Sequence, residues 1–186
     1  QMAGADYQGA DLRGQTHRYA NWYKANLAKA ELENTDCHGV FAASADCRCV
    51  DLQAANCAES DFAHANLAHA VLIDTVLTDA RLEDTDWAEA DCRDADFSRA
   101  NMRTIKAQGT NFMGARLSDA SLHRSYISAS TLFGIDAARV NCRDANLASN
   151  DMRQSDWTDA TLHDTCLAAT DLRESDLRQA AIVECD

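Results

Sequence analysis

Eight cysteines and six histidines are the residues of this chain with the most obvious chemistry. Cysteines pair as disulfides, and together with histidines they bind zinc or supply a nucleophile and its base. The closest cysteine pair, Cys47 and Cys49, lies in the stretch "CRC". No cysteine pair has the spacing of a zinc finger, and the histidines occur singly. Their chemical role therefore depends on the secondary structure that carries them and on whether it turns them inward or outward.

A five-residue period runs through the whole chain. Every fifth residue from Tyr7 to Ile182 is large and apolar or a cysteine, with four exceptions: His17, Ala42, Ala107 and Ala137. The residue two places earlier is small or β-branched, except at Gln15 and Asn150. Alternation along an extended segment turns both positions inward and leaves the other three in water. A chain that turns a corner every five residues closes into coils, and stacked coils form a solenoid.

The period assigns most of the chemistry-bearing side chains to a packed interior. Five cysteines take the large inward position: Cys37, Cys47, Cys57, Cys92 and Cys142. There they act as small apolar residues, and coils are too far apart for the usual disulfide geometry. Unpaired thiols favour a reducing compartment, so we expect a cytoplasmic protein. The clearest interior ladder is expected from Leu12, Leu27, Leu32, Leu52, Phe62, Leu67, Leu72, Leu82, Trp87, Phe97, Phe112, Leu117, Leu122, Leu147, Trp157 and Leu172.

Three five-residue stretches carry a family resemblance: "ANLAK" at 25–29, "ADFSR" at 95–99 and "ANLAS" at 145–149. They resemble the A-(D/N)-L-x-x consensus of pentapeptide-repeat proteins, and the resemblance covers essentially the whole chain. It implies an all-β fold, a right-handed quadrilateral β-helix with four repeats per coil and about nine coils. We expect one domain over residues 1–186, cut from a longer chain, with an irregular first coil around 13–23. End-to-end pairing into a homodimer is a further expectation.

The net charge of −13 is unevenly distributed over the four expected faces. The face around Leu12 carries −6 and the next, around His17, carries −4, whereas the faces around Trp22 and Tyr7 carry −1 each. Direct nucleic-acid binding needs a basic footprint and is not expected. Many of the acids occupy the repeat's own Asp/Asn position, where they can bond the backbone at turns. The candidate acidic binding surface comprises Asp79, Asp91, Asp94, Asp96, Asp119, Asp136, Asp151, Asp156 and Asp159.

A second candidate surface is apolar. Ile73, Met113 and Phe133 take the outward position after the inward residue on the Leu12 face, with Arg93 between the first two. Tyr126 lies one repeat away, so these four residues form a candidate contact patch. At three alanines in the large inward position, we expect a neighbouring side chain to supply the missing volume: Phe41 beside Ala42, Ile105 beside Ala107 and Ile135 beside Ala137.

Catalysis needs a concave pocket with converging polar groups, and a filled solenoid offers flat sides instead. We therefore expect no enzyme activity, no cofactor and no metal site. No apolar run is long enough to cross a bilayer. The favoured function is a rigid acidic rod that binds a protein partner. Two alternatives are a DNA mimic that binds DNA gyrase, as quinolone-protecting members of the family do, and a structural or delivery domain of a larger effector.

Overall fold

The structure, a computed structural model, describes residues 3–186 as a square solenoid. Each pentapeptide begins with one parallel bridge residue, which pairs with the residue twenty positions later, as Asp6 does with Asn26. This offset is the one expected for four pentapeptides per coil. Only the last coils lengthen their bridges into named strands, β1 (Thr161–His163) and β2 (Ala181–Val183), which pair in parallel. No helix in the described part of the chain is long and apolar enough to span a membrane.

Main-chain hydrogen bonds tie each coil to the next. The N–H of Leu27 donates to the carbonyl of Asp46 at 2.7 Å, and that of Asp46 donates back to the carbonyl of Ala25 at 2.9 Å. A third bond follows at the turn, from Lys29 to the carbonyl of Arg48 at 2.9 Å. The pattern repeats along the rod, so the backbone polar groups of each flat side are satisfied between coils.

Every corner places its second turn residue in the left-handed region, with a positive φ. A positive φ at only that position is the signature of a type II turn. All seven glycines of the chain lie at this position. Most corners nevertheless carry a residue with a side chain, such as Ala54 with a φ of 54°. The coil therefore accepts local strain at its corners in exchange for turning a corner every five residues.

The interior is filled by one large side chain per pentapeptide. Fourteen members of the predicted ladder are buried, and Leu12 and Leu172, in the end coils, are half-buried. The five inward cysteines are buried as well. Residues 13–23 carry the same bridges and turns as the later coils, so the irregularity expected there is not present in the backbone.

Of the three side chains expected to supply missing volume, two lie in the interior. Ile105 and Ile135 are buried beside their alanines. The expectation for Phe41 was wrong: its ring is 42% exposed and stacks on Tyr23 instead, with ring centroids 5.5 Å apart. Phe41 is a bridge residue, and bridge side chains point outward.

Asn150 is the polar exception at a small inward position, and it completes a buried hydrogen-bond ladder. Its side-chain oxygen accepts the N–H of Ser130 at 2.8 Å, and its amide nitrogen donates to the carbonyls of Ile127 and Leu147, both at 2.8 Å. One coil earlier, the Ser130 hydroxyl accepts the N–H of Thr110 at 3.1 Å. These side chains replace the turn hydrogen bonds that the neighbouring corners make between main-chain groups.

Candidate functional site

The Asp/Asn position of the repeat has a structural role. Every Asp or Asn at this position accepts a hydrogen bond from the main-chain N–H two residues later. One carboxylate oxygen is thus engaged by the turn that follows. Five candidate acidic residues lie at this position: Asp91, Asp96, Asp136, Asp151 and Asp156. Their presence alone therefore does not indicate a binding site.

Three further candidates belong to a ladder of alternating charge along the corner between the His17 and Trp22 faces. Asp79, Arg99, Asp119, Arg139 and Asp159 follow one another at twenty-residue steps. Arg99 contacts Asp79 at 2.6 Å, and Arg139 contacts Asp119 at 2.7 Å. These hydrogen bonds from arginine hold the pKa of both carboxyl groups below its ordinary value. Asp79 and Asp119 are therefore neutralised within the rod.

The Leu12 face neutralises its acids within single pentapeptides. Arg93 donates hydrogen bonds to both carboxylate oxygens of Asp91, at 2.8 and 2.7 Å. Arg153 makes the same pair of bonds to Asp151. The hydrogen bonds from each arginine lower the pKa of the aspartate it contacts. Bidentate pairs of this kind orient both side chains. The face with the largest formal charge thus presents paired rather than free carboxylates at these two positions.

The other five candidate acids have either a distant basic group or none, and three of them lie close together. Asp96 has Arg116 at 3.6 Å. The other four candidates have no basic group within 4.0 Å among residues 3–186: Asp94, Asp136, Asp156 and Asp159. Asp136 and Asp156 are direct bridge partners on successive coils of the His17 face, and Asp159 lies at the corner of the same pentapeptide as Asp156. We call Asp136, Asp156 and Asp159 the acidic cluster.

The four residues of the apolar patch all reach the surface, to different extents. Met113 is 39% exposed and Tyr126 is 46% exposed, whereas Ile73 and Phe133 are half-buried. The guanidinium of Arg153 lies over the Phe133 ring, 5.6 Å from its centroid. Arg93 separates Ile73 from the others and is held by Asp91. The patch is therefore small and bordered by ion pairs.

An aromatic group that the sequence reasoning missed lies near the N-terminal end of the rod. Phe41 stacks on Tyr23, and Lys24 lies 5.1 Å from the centroid of the Tyr23 ring. Tyr19, 67% exposed, packs its ring over Gly39, where an added Cβ would come within 2.5 Å of a ring carbon. Gly39 thus leaves room for that ring. The five-residue period itself indicates that these aromatic side chains are exposed, because bridge and turn positions point outward whatever residue they carry.

The buried inward cysteines are poor candidates for a reactive thiol. Burial raises the pKa of the Cys47, Cys92 and Cys142 thiols, which disfavours the reactive thiolate. Among residues 3–186, no three His, Cys, Asp or Glu side chains are grouped so that they could hold a metal ion. A shallow depression of about 270 Å³ is lined by Thr158, Asp159, Arg178 and Gln179, a set without a cysteine, serine or histidine.

Comparison with known proteins matches the chain to one family. The family described as "Pentapeptide repeats" matches in eight copies, over residues 4–40, 45–84, 75–103 and 141–179. No curated protein sequence shows significant similarity to the chain.

Solved structures of the same type resemble the chain over nearly its whole length. A trypsin-treated variant of QnrB1, a plasmid-mediated fluoroquinolone resistance protein, matches with a TM-score of 0.63 and 19% identity, covering 98% of this chain and 81% of that one. HetL, involved in heterocyst differentiation regulation in the cyanobacterium Nostoc sp. strain PCC 7120, matches with a TM-score of 0.37 and 21% identity, covering 97% and 88%. The QnrB1 likeness implies a right-handed β-helix. The chain belongs to the pentapeptide-repeat family.

Proposed function

We propose that this protein is a non-catalytic interaction module, a rigid rod that presents flat faces to a protein partner. The observation that carries the proposal is the filled interior. From Trp22 to Leu162, the large inward side chains are at most 2% exposed. The interior therefore has little room for a ligand, and functional groups are confined to outward columns that repeat once per coil. Such columns suit recognition of an extended surface better than chemistry at a single point.

The acidic cluster is the proposed contact surface for a basic segment of that partner. An aspartate already bound to arginine must lose that partner before it can bind another cation. Asp136 and Asp156 avoid this cost, because each engages one carboxylate oxygen in its turn and has no basic neighbour within 4.0 Å among residues 3–186. Two such carboxylates on successive coils, with Asp159 at the corner, give a local negative field that attracts lysine or arginine side chains.

Charge-neutral variants test this surface without disturbing the fold. Asn occupies the Asp136 and Asp156 position in many other repeats and makes the same turn bond, as Asn141 and Asn146 do. We expect Asp136→Asn, Asp156→Asn and Asp159→Asn together to weaken binding of a fluorescein-labelled Lys-Ser repeat peptide by at least fivefold in fluorescence anisotropy.

The matched control removes three acids from the neighbouring Leu12 face. The variant Asp11→Asn, Asp51→Asn and Asp171→Asn has the same net charge but leaves the acidic cluster intact. We expect its affinity for the peptide to stay within twofold of the unmodified protein. Equal losses in the two triple variants would mean that only net charge matters, and would remove the acidic cluster from the proposal.

A DNA mimic that binds DNA gyrase or a related type II topoisomerase is the second candidate. The concentration of acids on two adjacent faces favours it, whereas the arginines paired with Asp79, Asp91, Asp119 and Asp151 reduce the free charge. The test is a supercoiling assay with purified gyrase, with and without a fluoroquinolone. We expect micromolar protein to change supercoiling or to relieve the drug, and the acidic-cluster triple variant to lose the effect. An assay that shows neither change rejects the mimic.

A further inference from the structure

The Trp22 face carries two arginines that have no acidic partner among residues 3–186. Every other arginine has a carboxylate oxygen within 4.0 Å. Among residues 3–186, Arg103 and Arg143 have none. In a protein with nearly twice as many acids as bases, two unpaired arginines on the same face stand out from the general pattern.

These arginines alternate with histidines in one straight column. Arg103, His123, Arg143 and His163 follow at twenty-residue steps, and main-chain bonds hold their coils in register, as from Arg124 N–H to the Arg143 carbonyl at 3.0 Å. His123 donates from Nδ1 to the same carbonyl at 3.0 Å, and Arg143 donates to Nδ1 of His163 at 3.1 Å. We call these four residues the basic column. These two hydrogen bonds link the last three members and orient the guanidinium of Arg143.

The surroundings of the basic column are polar but uncharged on one side. The bridge residues beside it are Asn101, Ser121, Asn141 and Thr161. On the other side, at the corner, Asp144 lies 3.6 Å from Arg124 and 3.7 Å from Nδ1 of His123. A ligand that approaches the column from the side of the bridge residues therefore meets arginines and uncharged hydrogen-bonding groups, with the Asp144 carboxylate on the far side of His123.

The N-terminal part of the same face is aromatic. Phe41 and Tyr23 stack with an interplanar angle of 14°, and the outward side chains that follow on the next coils are the small Ala43 and Ala63. Exposed aromatic residues and arginine are the types most enriched at the energetic centres of protein interfaces. The face thus combines an aromatic anchor at one end with unpaired cations at the other.

We propose that the Trp22 face binds an extended acidic peptide segment of a partner protein, with an aromatic or apolar residue on the Tyr23–Phe41 pair and carboxylates on Arg103 and Arg143. From Phe41 to Arg143 the face spans five coils, about 24 Å at about 4.8 Å per coil. Seven or eight residues of extended chain cover that length at about 3.3 Å each. The site uses different residues from the acidic cluster, which lies on the His17 face and, at Asp159, on the corner between that face and the Trp22 face.

Sparse negative charge fits this face better than a nucleic acid does. A nucleic-acid strand carries a phosphate about every 3.4 Å of helix axis. Such a spacing would place phosphates beside Asp61 and Glu83, which lie between the aromatic pair and Arg103 and are engaged with Arg81. A peptide can place its carboxylates at the arginines alone. Charge complementarity therefore selects an acidic peptide as the occupant.

The experiment uses the whole chain and two fluorescein-labelled eight-residue peptides. Each has Phe at one end and three Glu in the other half, and the two run in opposite chain directions. We expect at least one to bind in fluorescence anisotropy, and Arg103→Gln combined with Arg143→Gln to weaken binding at least fivefold. Phe41→Ser should weaken it severalfold. Arg13→Gln combined with Arg173→Gln, on the opposite face and with the same charge change, should leave the affinity within twofold.

Three results would overturn the proposal. The first is no binding of either peptide at 1 mM. The second is equal binding of a peptide in which Gln replaces every Glu, because the arginines would then contribute nothing. The third is tighter, arginine-dependent binding of a twenty-residue oligothymidine, which would make the face a nucleic-acid site. Circular dichroism of each variant, compared with the unmodified chain, shows that losses do not come from unfolding.

Discussion

The indole nitrogen of Trp157 lies 2.9 Å from the hydroxyl oxygen of Ser155, to which it donates a hydrogen bond. Trp87 makes the same bond to Thr85. Both pairs join a large inward residue to the small inward residue two places earlier. The third buried tryptophan, Trp22, has Ala20 at that place, and its indole nitrogen has no partner among residues 3–186. A hydroxyl two residues before a buried tryptophan thus satisfies its indole N–H in two coils, and the coil of Trp22 lacks that hydroxyl.

Ala20→Ser should therefore stabilise the protein. A serine hydroxyl at position 20 would accept the Trp22 indole N–H, and satisfying a buried donor contributes about 1 kcal/mol to the free energy of unfolding. Urea unfolding followed by tryptophan fluorescence measures the change. Ala30→Ser is the control, because Leu32 has no polar group to bond. If both serines change stability equally, the missing hydroxyl is not the reason.

Asn150→Ala should be clearly destabilising, by about 2 kcal/mol or more. It would leave the N–H of Ser130 and two carbonyls without partners in the interior, and each buried unsatisfied group costs about 1–3 kcal/mol. Asn150→Ser should cost less, because Ser130 shows that a hydroxyl at this corner can accept one N–H and donate to one carbonyl. Urea unfolding of the two variants decides. An alanine variant as stable as the serine variant would show that water satisfies these groups.

Ala54→Gly should stabilise the protein, contrary to the usual effect of glycine. Ala54 has a φ of 54°, where an L-residue pays about 1–2 kcal/mol that glycine avoids, partly offset by the greater entropy of glycine in the unfolded chain. The neighbouring Ala55→Gly should destabilise, because Ala55 is fully buried and is absent from the positive-φ residues. Thermal unfolding of the two variants should shift the midpoint in opposite directions. Shifts of the same sign would contradict the turn assignment.

Stability should fall as the pH drops from about 4 to about 2. Hydrogen bonds from Arg13 and Arg173 lower the pKa of Asp11 and Asp171 from 3.8 to about 2. A carboxyl group with a lower pKa in the folded chain adds stability above its unfolded pKa, and that stability is lost as the pH falls through the folded pKa. The contribution is small because both groups are exposed.

The double variant Asp11→Asn with Asp171→Asn should show a shallower loss of stability over this range. Urea unfolding at pH 7, 4 and 2.5 gives the comparison. In 1 M NaCl the difference between the variant and the unmodified chain should narrow, because salt screens exposed pairs. Parallel curves for the two proteins at low salt would contradict the role of these arginines.

The sequence alone determined the frame of this protein. A large residue every five positions, with a small one two places before it, leaves a single way to bury both, so the coil, its interior and the placement of Cys37 or Trp87 followed from side-chain size and alternation. Each pentapeptide is a local unit, and its inward and outward directions do not depend on distant residues. The same rule places Phe41 outside, because it takes the outward bridge position whatever the volume left beside it by Ala42.

The tertiary structure decided which surface groups are free. Asp119 and Asp136 are both outward acids in the sequence, but Arg139 lies 2.7 Å from Asp119, whereas Asp136 has no basic group within 4.0 Å among residues 3–186. Arg99 and Arg103 likewise occupy outward positions in successive pentapeptides, and only Arg99 contacts a carboxylate within 4.0 Å among residues 3–186. The physical reason is that side-chain direction and charge neutralisation depend on residues at different separations along the chain. A side chain's direction is set within five residues, whereas its charge is neutralised only by a group within a few ångströms, and the neighbouring coil, twenty residues away, supplies many of those groups.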